Sequence, residues 1–273
     1  MRFRFAVNPR WPDLPHCSAL LHAFPRDYSV SDYRTTLSIK TVRRGSAWYE
    51  TADGRYLVTP ETFLILNDGQ HYSMEVDAEL KTETFCPFFQ PGFVKGEFCE
   101  RLYPMRGRVV SALRSFGGVP LEDTFYDLAE GLAELRAETR KESASFPGLR
   151  ASTREEMYRR LYRARDFLYC CYREPVSVAD AARVAAMSPF HFQRMFKNAF
   201  GLSPMQFVQR RRLDVARDLL NKNDVTSVCF AVGFESVGSF STLFKRTFGV
   251  PPSQIRTGER PSRPQSSGVA PDD

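Results

Sequence analysis

The sequence predicts an α+β protein whose first half is rich in β-strands and whose C-terminal third is entirely helical. Two observations predict this division. Short segments of alternating or purely apolar residues, separated by turns containing Asp-Gly, fill the region from residue 37 to residue 89. Helical periodicity with clear start and stop signals runs from residue 156 to residue 256, and part of it occurs twice.

Four strands are predicted in the first region, at residues 37–42, 62–66, 71–76 and 82–89. The first and third alternate between apolar and polar residues, and the second is a short apolar run. Turn-forming residues separate them at 52–55 and 67–70. A series of short strands with such turns is typical of a β-sandwich or a β-barrel.

Two helices are predicted after the strands, a short one at Val94–Leu102 and a longer one at Leu121–Arg140. The apolar residues of the longer helix recur at intervals of four and three: Leu121, Phe125, Leu128, Leu132 and Leu135. This spacing forms one narrow seam, as in a two-stranded coiled coil, and predicts dimerisation through the helix. The alternative is that the seam packs on the strands of its own chain.

The charge of the chain is unevenly distributed. The 273 residues carry a formal net charge of +6, whereas residues 157–256 contain 16 Lys/Arg and seven Asp/Glu, a net charge of +9. A basic C-terminal third attached to a mildly acidic remainder indicates a nucleic-acid-binding module joined to another domain. The N-terminus lacks an apolar run typical of a secretory signal, and no membrane span is expected, so we predict a cytoplasmic protein that does not bind membranes.

Composition also marks a linker and a tail. Residues 141–155 are polar and read as an interdomain linker, and residues 258–273 are rich in Pro, Ser and Gly and are expected to be disordered. The predicted domains are therefore residues 1–140 and residues 156–257.

The six cysteines do not indicate a metal site, because none stands in C-x-x-C spacing or two to five residues from a histidine. Free thiols that act as small core residues are the main interpretation. A redox role for the adjacent Cys170 and Cys171 is the alternative. No metal and no cofactor are predicted.

An internal repeat is the strongest signal in the chain. Residues 188–201 and 236–249 match at a shift of 48, so that Phe192, Phe196 and Gly201 fall on Phe240, Phe244 and Gly249. The preceding segments match at a shift of 47, from residue 177 and from residue 224. Such agreement indicates one supersecondary unit used twice.

Each copy contains the capping residues expected of two helices joined by a tight turn. Ser188 is suited to an N-cap, with Pro189 at the first helical position, and Gly201 and Gly249 are placed as C-terminal caps. One face of each second helix is apolar and the other is polar. The sequence therefore predicts two helix-turn-helix units.

The C-terminal residues closely resemble the AraC/XylS family of transcription regulators. The resemblance is densest in residues 212–220, 232–236 and 240–252, and it covers about 100 residues. It implies that the second helix of each unit lies in one of two successive major grooves. The predicted joining helix, residues 204–220, would be about 25 Å long at about 1.5 Å per residue, a scale comparable with the roughly 34 Å helical repeat of DNA.

The resemblance and the outward faces of the two helices assign the DNA contacts. These residues are Ser188, Phe190, Gln193, Arg194, Lys197, Ser236, Ser239, Ser241, Thr242, Lys245 and Arg246. Because Gln193 and Arg194 suit adenine and guanine edges, base reading is expected mainly in the first unit, with phosphate contacts in the second. Arg194 and Lys197 as solvated charges, and Phe190 packed on a neighbouring helix, are the alternatives.

Two other positions stand out. Ala186 occupies the turn position where glycine is usual, so a strained or altered first turn is expected. Arg212 is expected to make structural contacts inside the domain.

The first 140 residues resemble the cupin-like sensing barrels, followed by a helical pair, that precede many such DNA modules. The resemblance implies that a small-molecule effector binds among aromatic side chains: Trp48, Tyr49, Phe63, Tyr72, Phe85 and Phe89. These rings as simple core residues are the alternative. The histidines lack the His-x-His pattern of metal-using cupins, which disfavours metal catalysis.

The predicted function is therefore an effector-responsive transcription regulator, an activator as in most of the family, without enzymatic activity. The resemblance implies double-stranded DNA, a small-molecule effector, RNA polymerase and a second copy of the chain, in a homodimer, as partners. The alternative is a cupin-like enzyme or small-molecule-binding protein with a vestigial DNA module.

Overall fold

A computed structural model describes residues 2–8, 17–25, 28–76, 81–146 and 150–257. The tail predicted to be disordered, residues 258–273, lies outside the described residues. The chain forms two compact units. The first contains residues up to 170 together with 182–187, and the second contains residues 171–181 and those from 188 onward.

Ten strands make up the β-structure of the first unit. Their bounds are β1 Phe3–Val7, β2 Ser18–Ala23, β3 Ser29–Arg34, β4 Ser38–Arg44, β5 Ala47–Glu50, β6 Arg55–Val58, β7 Thr62–Leu66, β8 His71–Val76, β9 Glu83–Phe88 and β10 Leu102–Pro104. They form a six-stranded sheet in the order β1-β2-β9-β4-β7-β10 and a four-stranded sheet in the order β3-β8-β5-β6. The four predicted strands correspond to β4, β7, β8 and β9, and the turn predicted at 67–70 joins β7 to β8.

The central strands of the larger sheet are buried on both faces. All five residues of β7 are buried, and so are the first five of β4. Ile39 of β4 belongs to a core shared with two helices, whereas the next residue, Lys40, reaches Tyr72 of the smaller sheet. Because successive side chains of a strand point to opposite faces, one face of the larger sheet packs on helices and the other faces the smaller sheet.

Two helices, α1 at Arg108–Ser115 and α2 at Leu121–Ala144, follow the strands. The short helix predicted at Val94–Leu102 is wrong, because this segment is an irregular connection that ends in β10. Gly92 and Gly96 adopt φ values of 81° and 87°, which no right-handed helix accommodates. Gly131 of α2 lets the two helices approach closely, since a Cβ there would lie 2.7 Å from the backbone nitrogen of Val109.

The apolar stripe of α2 packs inside its own chain. Phe125, Leu128 and Leu132 are fully buried in a core built with the larger sheet and α1, and Leu121 and Leu135 pack against its margin. This arrangement supports the intramolecular alternative, so the stripe is not available as a seam between two chains.

Most of the segment predicted as a linker is helical. Helix α2 continues to Ala144, and helix α3 covers Ala151–Cys170. Residues 147–149 lie outside the described part of the chain. Helix α3 packs within the first unit: the buried carboxylate of Asp166 accepts a hydrogen bond of 2.7 Å from the backbone N–H of Leu102, and the Arg165 guanidinium donates to the Leu102 carbonyl at 2.7 Å. The predicted division at residues 140 and 156 stays a prediction.

The remaining helices carry the repeat. They are α4 Val178–Val184, α5 Pro189–Phe200, α6 Pro204–Leu219, α7 Val225–Ala231 and α8 Val237–Phe248, followed by a 3-10 helix at Pro252–Thr257. Helices α5 and α8 have 12 residues each and end on left-handed glycines, Gly201 and Gly249. Each glycine N–H donates to a lysine carbonyl four residues earlier at 2.8 Å. No helix in the described ranges has the length and apolar character needed to cross a membrane.

The two turns before α5 and α8 place different residues in the same left-handed conformation. Ala186 has a φ of 50° and Gly233 a φ of 90°. A Cβ on Gly233 would lie 2.6 Å from the carbonyl oxygen of Arg173, so the second turn requires glycine for space as well as for conformation. Ala186 thus has the strained left-handed backbone conformation that the sequence predicted.

We expect Ala186→Gly to raise the free energy of unfolding by about 0.5–1 kcal/mol, because relief of the left-handed strain exceeds the added chain entropy of glycine. Gly233→Ala should lower it by more than about 2 kcal/mol, because the new Cβ meets backbone. Gly201→Ala is the matched control, since its φ is 72° but no atom lies within 4 Å of the added Cβ. Urea unfolding of the full chain measures all three. An Ala186→Gly protein of unchanged or reduced stability would show that the first turn is not strained.

Candidate functional site

Helix α5 has one buried face and one exposed basic face. Phe192 and Phe196 are fully buried, and Met195 is nearly so. The opposite face exposes four of the predicted contact residues: Phe190, Gln193, Arg194 and Lys197. Phe190 is 78% exposed, so it does not pack on a neighbouring helix.

Helix α8 repeats this arrangement with shorter side chains. Phe240 and Phe244 are fully buried. Four of the predicted contact residues on α8 are exposed: Ser239, Thr242, Lys245 and Arg246. Ser241, which was expected to face outward, is half-buried, whereas its counterpart Gln193 is exposed. The long side chains available on α8 are therefore cations near its C-terminal end.

The residues that precede the two helices differ in their capping bonds. The Ser236 hydroxyl accepts a hydrogen bond of 3.4 Å from the backbone N–H of Ser239, which caps α8. Ser188 has the extended backbone of an N-cap but makes no side-chain capping bond. Both serines are exposed, and the N–H groups that begin a helix are suited to binding phosphate oxygens.

Helix α6 lies between the two helix-turn-helix motifs in the chain and contacts α5 of the first and α7 of the second. It begins with a capping box in which the side chains of Ser203 and Gln206 satisfy each other's backbone N–H groups. The Arg212 guanidinium donates to the backbone carbonyls of Tyr172 at 2.6 Å and of Glu174 at 2.9 Å. Arg212 is thus structural, as expected. The 16 residues of α6 span about 24 Å at about 1.5 Å per residue.

A concave surface lies beside α8. Gln209 of α6 lines it together with Gly238, Ser239, Thr242 and Arg246 of α8. The absence of a side chain at Gly238 opens this surface toward the helix backbone. Hydroxyl, amide and guanidinium donors on such a surface match the oxygens of a nucleic-acid backbone.

The first unit contains a separate cavity of about 290 Å³ between its two sheets. Strands β2, β4 and β9 of the larger sheet line one side, and β5 and β8 of the smaller sheet line the other. Of the aromatic residues predicted to bind an effector, Tyr49 and Tyr72 lie in this lining.

The other predicted aromatic residues lie elsewhere. Phe63, Phe85 and Phe89 belong to the core that the larger sheet shares with α1 and α2. Trp48 is half-buried on β5 and stacks with the Arg55 guanidinium at 4.4 Å. The structure therefore brings two of the six residues together at the cavity.

Lys40 is the cavity residue that sequence reasoning missed. It is 1% exposed, and its Nζ donates a hydrogen bond of 3.2 Å to the Tyr72 hydroxyl. Burial lowers the pKa of Lys40 to about 7, partly offset by the nearby Cys86 thiol. The sequence did not indicate that Lys40 is buried. It stands at a polar position of an alternating strand, where a lysine is ordinarily exposed to solvent.

Residues 178–248 therefore have the features of a helix-turn-helix DNA-binding domain: a short helix, a tight turn and a second helix with a buried aromatic face and an exposed polar or basic face, all occurring twice. Comparison of the chain with protein families supports this class, since residues 181–258 match a family described as a helix-turn-helix domain. The C-terminal region of the chain is a helix-turn-helix domain, and it is similar to those of AraC-like transcription regulators.

Named relatives are similar over part of their length. The transcriptional activator RhaS of Escherichia fergusonii is 40% identical over 89 residues, which cover 32% of this chain and 32% of that protein. RhaS of Yersinia pestis is 33% identical over 112 residues, which cover 40% of this chain and 41% of that protein. The chain thus spans less than half the length of each of these two relatives.

Solved structures show weaker similarity. An AraC-type transcriptional regulator from Chromobacterium violaceum is 28% identical, with a TM-score of 0.34, over 36% of this chain and 88% of that one. Fatty-acid-bound ToxT from Vibrio cholerae is 14% identical, with a TM-score of 0.35, over 88% of this chain and 94% of that one. TM-scores at this level do not establish a common overall fold.

The burial of Lys40 gives a prediction on stability. Its folded pKa of about 7 lies below the ordinary 10.5, so between these values the unfolded chain binds more protons and stability rises with pH. We expect Lys40→Met to raise the free energy of unfolding by about 1–4 kcal/mol at pH 6, where the buried amine is mostly in its charged form. The difference from wild type should shrink as the pH approaches 10.

Denaturant unfolding at pH 6, 8 and 10 measures this difference. The exposed Lys81 supplies the control: Lys81→Met should change the free energy of unfolding by less than about 0.5 kcal/mol at each pH. A difference for Lys40→Met that stays constant from pH 6 to pH 10 would show that Lys40 does not titrate in this window.

Proposed function

We propose that this protein is a sequence-specific DNA-binding transcription regulator that grips two successive major grooves with α5 and α8. The observation that carries the proposal is the repeated exposed face, with Arg194 and Lys197 on α5 and Lys245 and Arg246 on α8. Buried phenylalanines fix each of these faces outward. The AraC-type family match of residues 181–258 supports the same role.

The two helix-turn-helix motifs have different roles in DNA recognition. On α5, Gln193 and Arg194 have the amide and the forked guanidinium that pair bidentately with adenine and guanine in the major groove. Phe190 is exposed ahead of them, where a ring contacts a thymine methyl. On α8 the exposed hydroxyls and cations favour contacts with phosphates, which position the protein without specifying sequence.

The first unit acts as a sensor in this proposal. Its two sheets would form a cupin-like fold, and the cavity between them would take a small-molecule effector that changes DNA affinity or geometry. Tyr49, Tyr72 and Lys40 of the cavity lining are the proposed contacts. The regulator would act as an activator, as the RhaS relatives are named. Enzymatic activity is not proposed.

Two further partners follow from the family resemblance. RNA polymerase would be contacted by an activator, and a second copy of the chain would give a homodimer. Both stay predictions. Because the apolar stripe of α2 is buried within its own chain, a homodimer would use another surface.

DNA selected by the full chain from a random-sequence pool provides a cognate site for testing α5. Arg194→Ala should weaken binding to this site by about 1–3 kcal/mol and relax the preference at one base pair. Lys197→Ala should weaken binding to cognate and random DNA alike, and reduce the slope of log affinity against log salt by about one unit. Fluorescence anisotropy titrations at several salt concentrations measure both.

The control is Lys81→Ala, which removes one exposed positive charge from the first unit and should leave cognate affinity unchanged. If Arg194→Ala weakened cognate and random DNA equally, Arg194 would be a phosphate contact and not a base contact. A wild-type chain that enriched no sequence from the pool would contradict the proposed function itself.

A further inference from the structure

The interior of the first unit holds a lysine with aromatic surroundings. Lys40 lies in the middle of β4, and its Nζ stands 3.9 Å from the ring centre of Phe88 and 4.3 Å from that of Tyr72. No carboxylate oxygen of the described residues lies within 4.0 Å of Nζ. Aromatic rings and one hydroxyl compensate a buried ammonium only in part, and proteins rarely leave such a charge without an anion.

Two hydrogen-bond donors stand side by side at this point. The ammonium has three protons, of which one is donated to the Tyr72 hydroxyl at 3.2 Å. Since that hydroxyl accepts from Lys40, its own proton is free to be donated. Two adjacent donors, one of them charged, match the two oxygens of a carboxylate.

Three other polar side chains of the cavity, those of Asn8, Thr84 and Cys86, have hydrogen-bond partners within the protein. The Thr84 hydroxyl donates to the Ala23 carbonyl at 3.5 Å, and the Asn8 side-chain oxygen accepts from the Phe24 N–H at 2.8 Å. The Cys86 thiol donates to the Thr41 carbonyl at 3.7 Å. A polyol such as a sugar needs partners around its whole periphery, whereas this cavity places its one charged group beside Tyr72 and has a mostly apolar lining elsewhere, with Tyr28 and Tyr49 as further hydroxyl-bearing residues.

We propose that the cavity between the two sheets binds a small organic carboxylate, whose charged end pairs with Lys40 and Tyr72 and whose apolar body lies against Phe88, Met74 and Leu21. This inference rests on the sensing role proposed above and names the chemical class of the effector. The volume of about 290 Å³ is at the lower limit of ligand cavities, roughly 300–1,000 Å³. It equals the liquid volume of about ten water molecules, which suits an aromatic ring or a short alkyl chain.

The test is calorimetric titration of the full chain at pH 7 with phenylacetate and hexanoate, each compared with its uncharged amide. At least one acid should bind wild type with a Kd of about 1 mM or tighter, and its amide at least about tenfold more weakly. Lys40→Met should lose this preference, so that acid and amide bind equally weakly. Lys81→Met, the matched control, should bind as wild type does.

A second readout does not depend on the folding of any variant. The acid that binds should slow the reductive methylation of Lys40 in wild type, followed by peptide mass spectrometry, while Lys81 reacts at an unchanged rate. Tyr72→Phe, which keeps the ring and removes the second donor, should weaken acid binding several-fold.

Three results would overturn the proposal: acid and amide of equal affinity for wild type, full acid binding by folded Lys40→Met, or no binding of either acid and no protection of Lys40. Capture of phenylacetaldehyde on Lys40 by borohydride, without acid binding, would instead identify a carbonyl ligand.

Because these titrations contain no DNA, their failure leaves the DNA-binding proposal standing. Failure to select DNA would in turn leave a measured acid affinity intact.

Discussion

The burial of two phenylalanines, four residues apart, on each reading helix is the constraint on which the DNA-binding unit depends. Phe192 and Phe196 on α5, and Phe240 and Phe244 on α8, have no exposed surface. Residues three and four apart share one face of a helix, so burial of this pair turns the opposite face to solvent. The recognition surface is therefore fixed by packing, which holds its side chains on rigid elements.

A related constraint shapes the first unit. Its larger sheet is covered on both faces, so the first five residues of β4 and all five of β7 must fit an interior, whether they are polar or not. A lysine on the second face of β4 is thereby enclosed beside Tyr72 instead of being solvated. Because both faces of the sheet are covered, the alternating strand β4 lines a cavity and places the amine of Lys40 inside it.

The helical third of the fold could be predicted from the sequence in detail, because its signals are local. A serine at the N-cap position, a proline at the first helical position and a terminal glycine define α5 within 14 residues, and the second copy repeats the serine and the glycine. The Val94–Leu102 helix was wrong because the left-handed glycines at 92 and 96 outweigh a short apolar pattern. Six strands, β1, β2, β3, β5, β6 and β10, were not predicted, since these short segments carry little periodicity and most of them pair with strands distant in sequence.

The candidate sites also contain residues that local sequence predicts and residues whose positions depend on tertiary packing. The outward residues of α5 follow from helical geometry alone, whereas the half-buried state of Ser241 on α8 depends on its tertiary neighbours. In the first unit, aromatic composition led to six residues of which only Tyr49 and Tyr72 reach the cavity. Which face of a strand meets which layer is a tertiary property, and it decided the position of Phe63, Phe85 and Lys40.

The central claim is that two copies of one unit bind one face of a DNA duplex. Hydroxyl-radical footprinting of the full chain on its selected site tests it most directly. We expect two protected stretches on each strand for each chain bound, with centres about 10 base pairs, or one helical turn, apart. A single protected stretch of one groove per bound chain would contradict it, because the second helix-turn-helix unit would then not engage DNA.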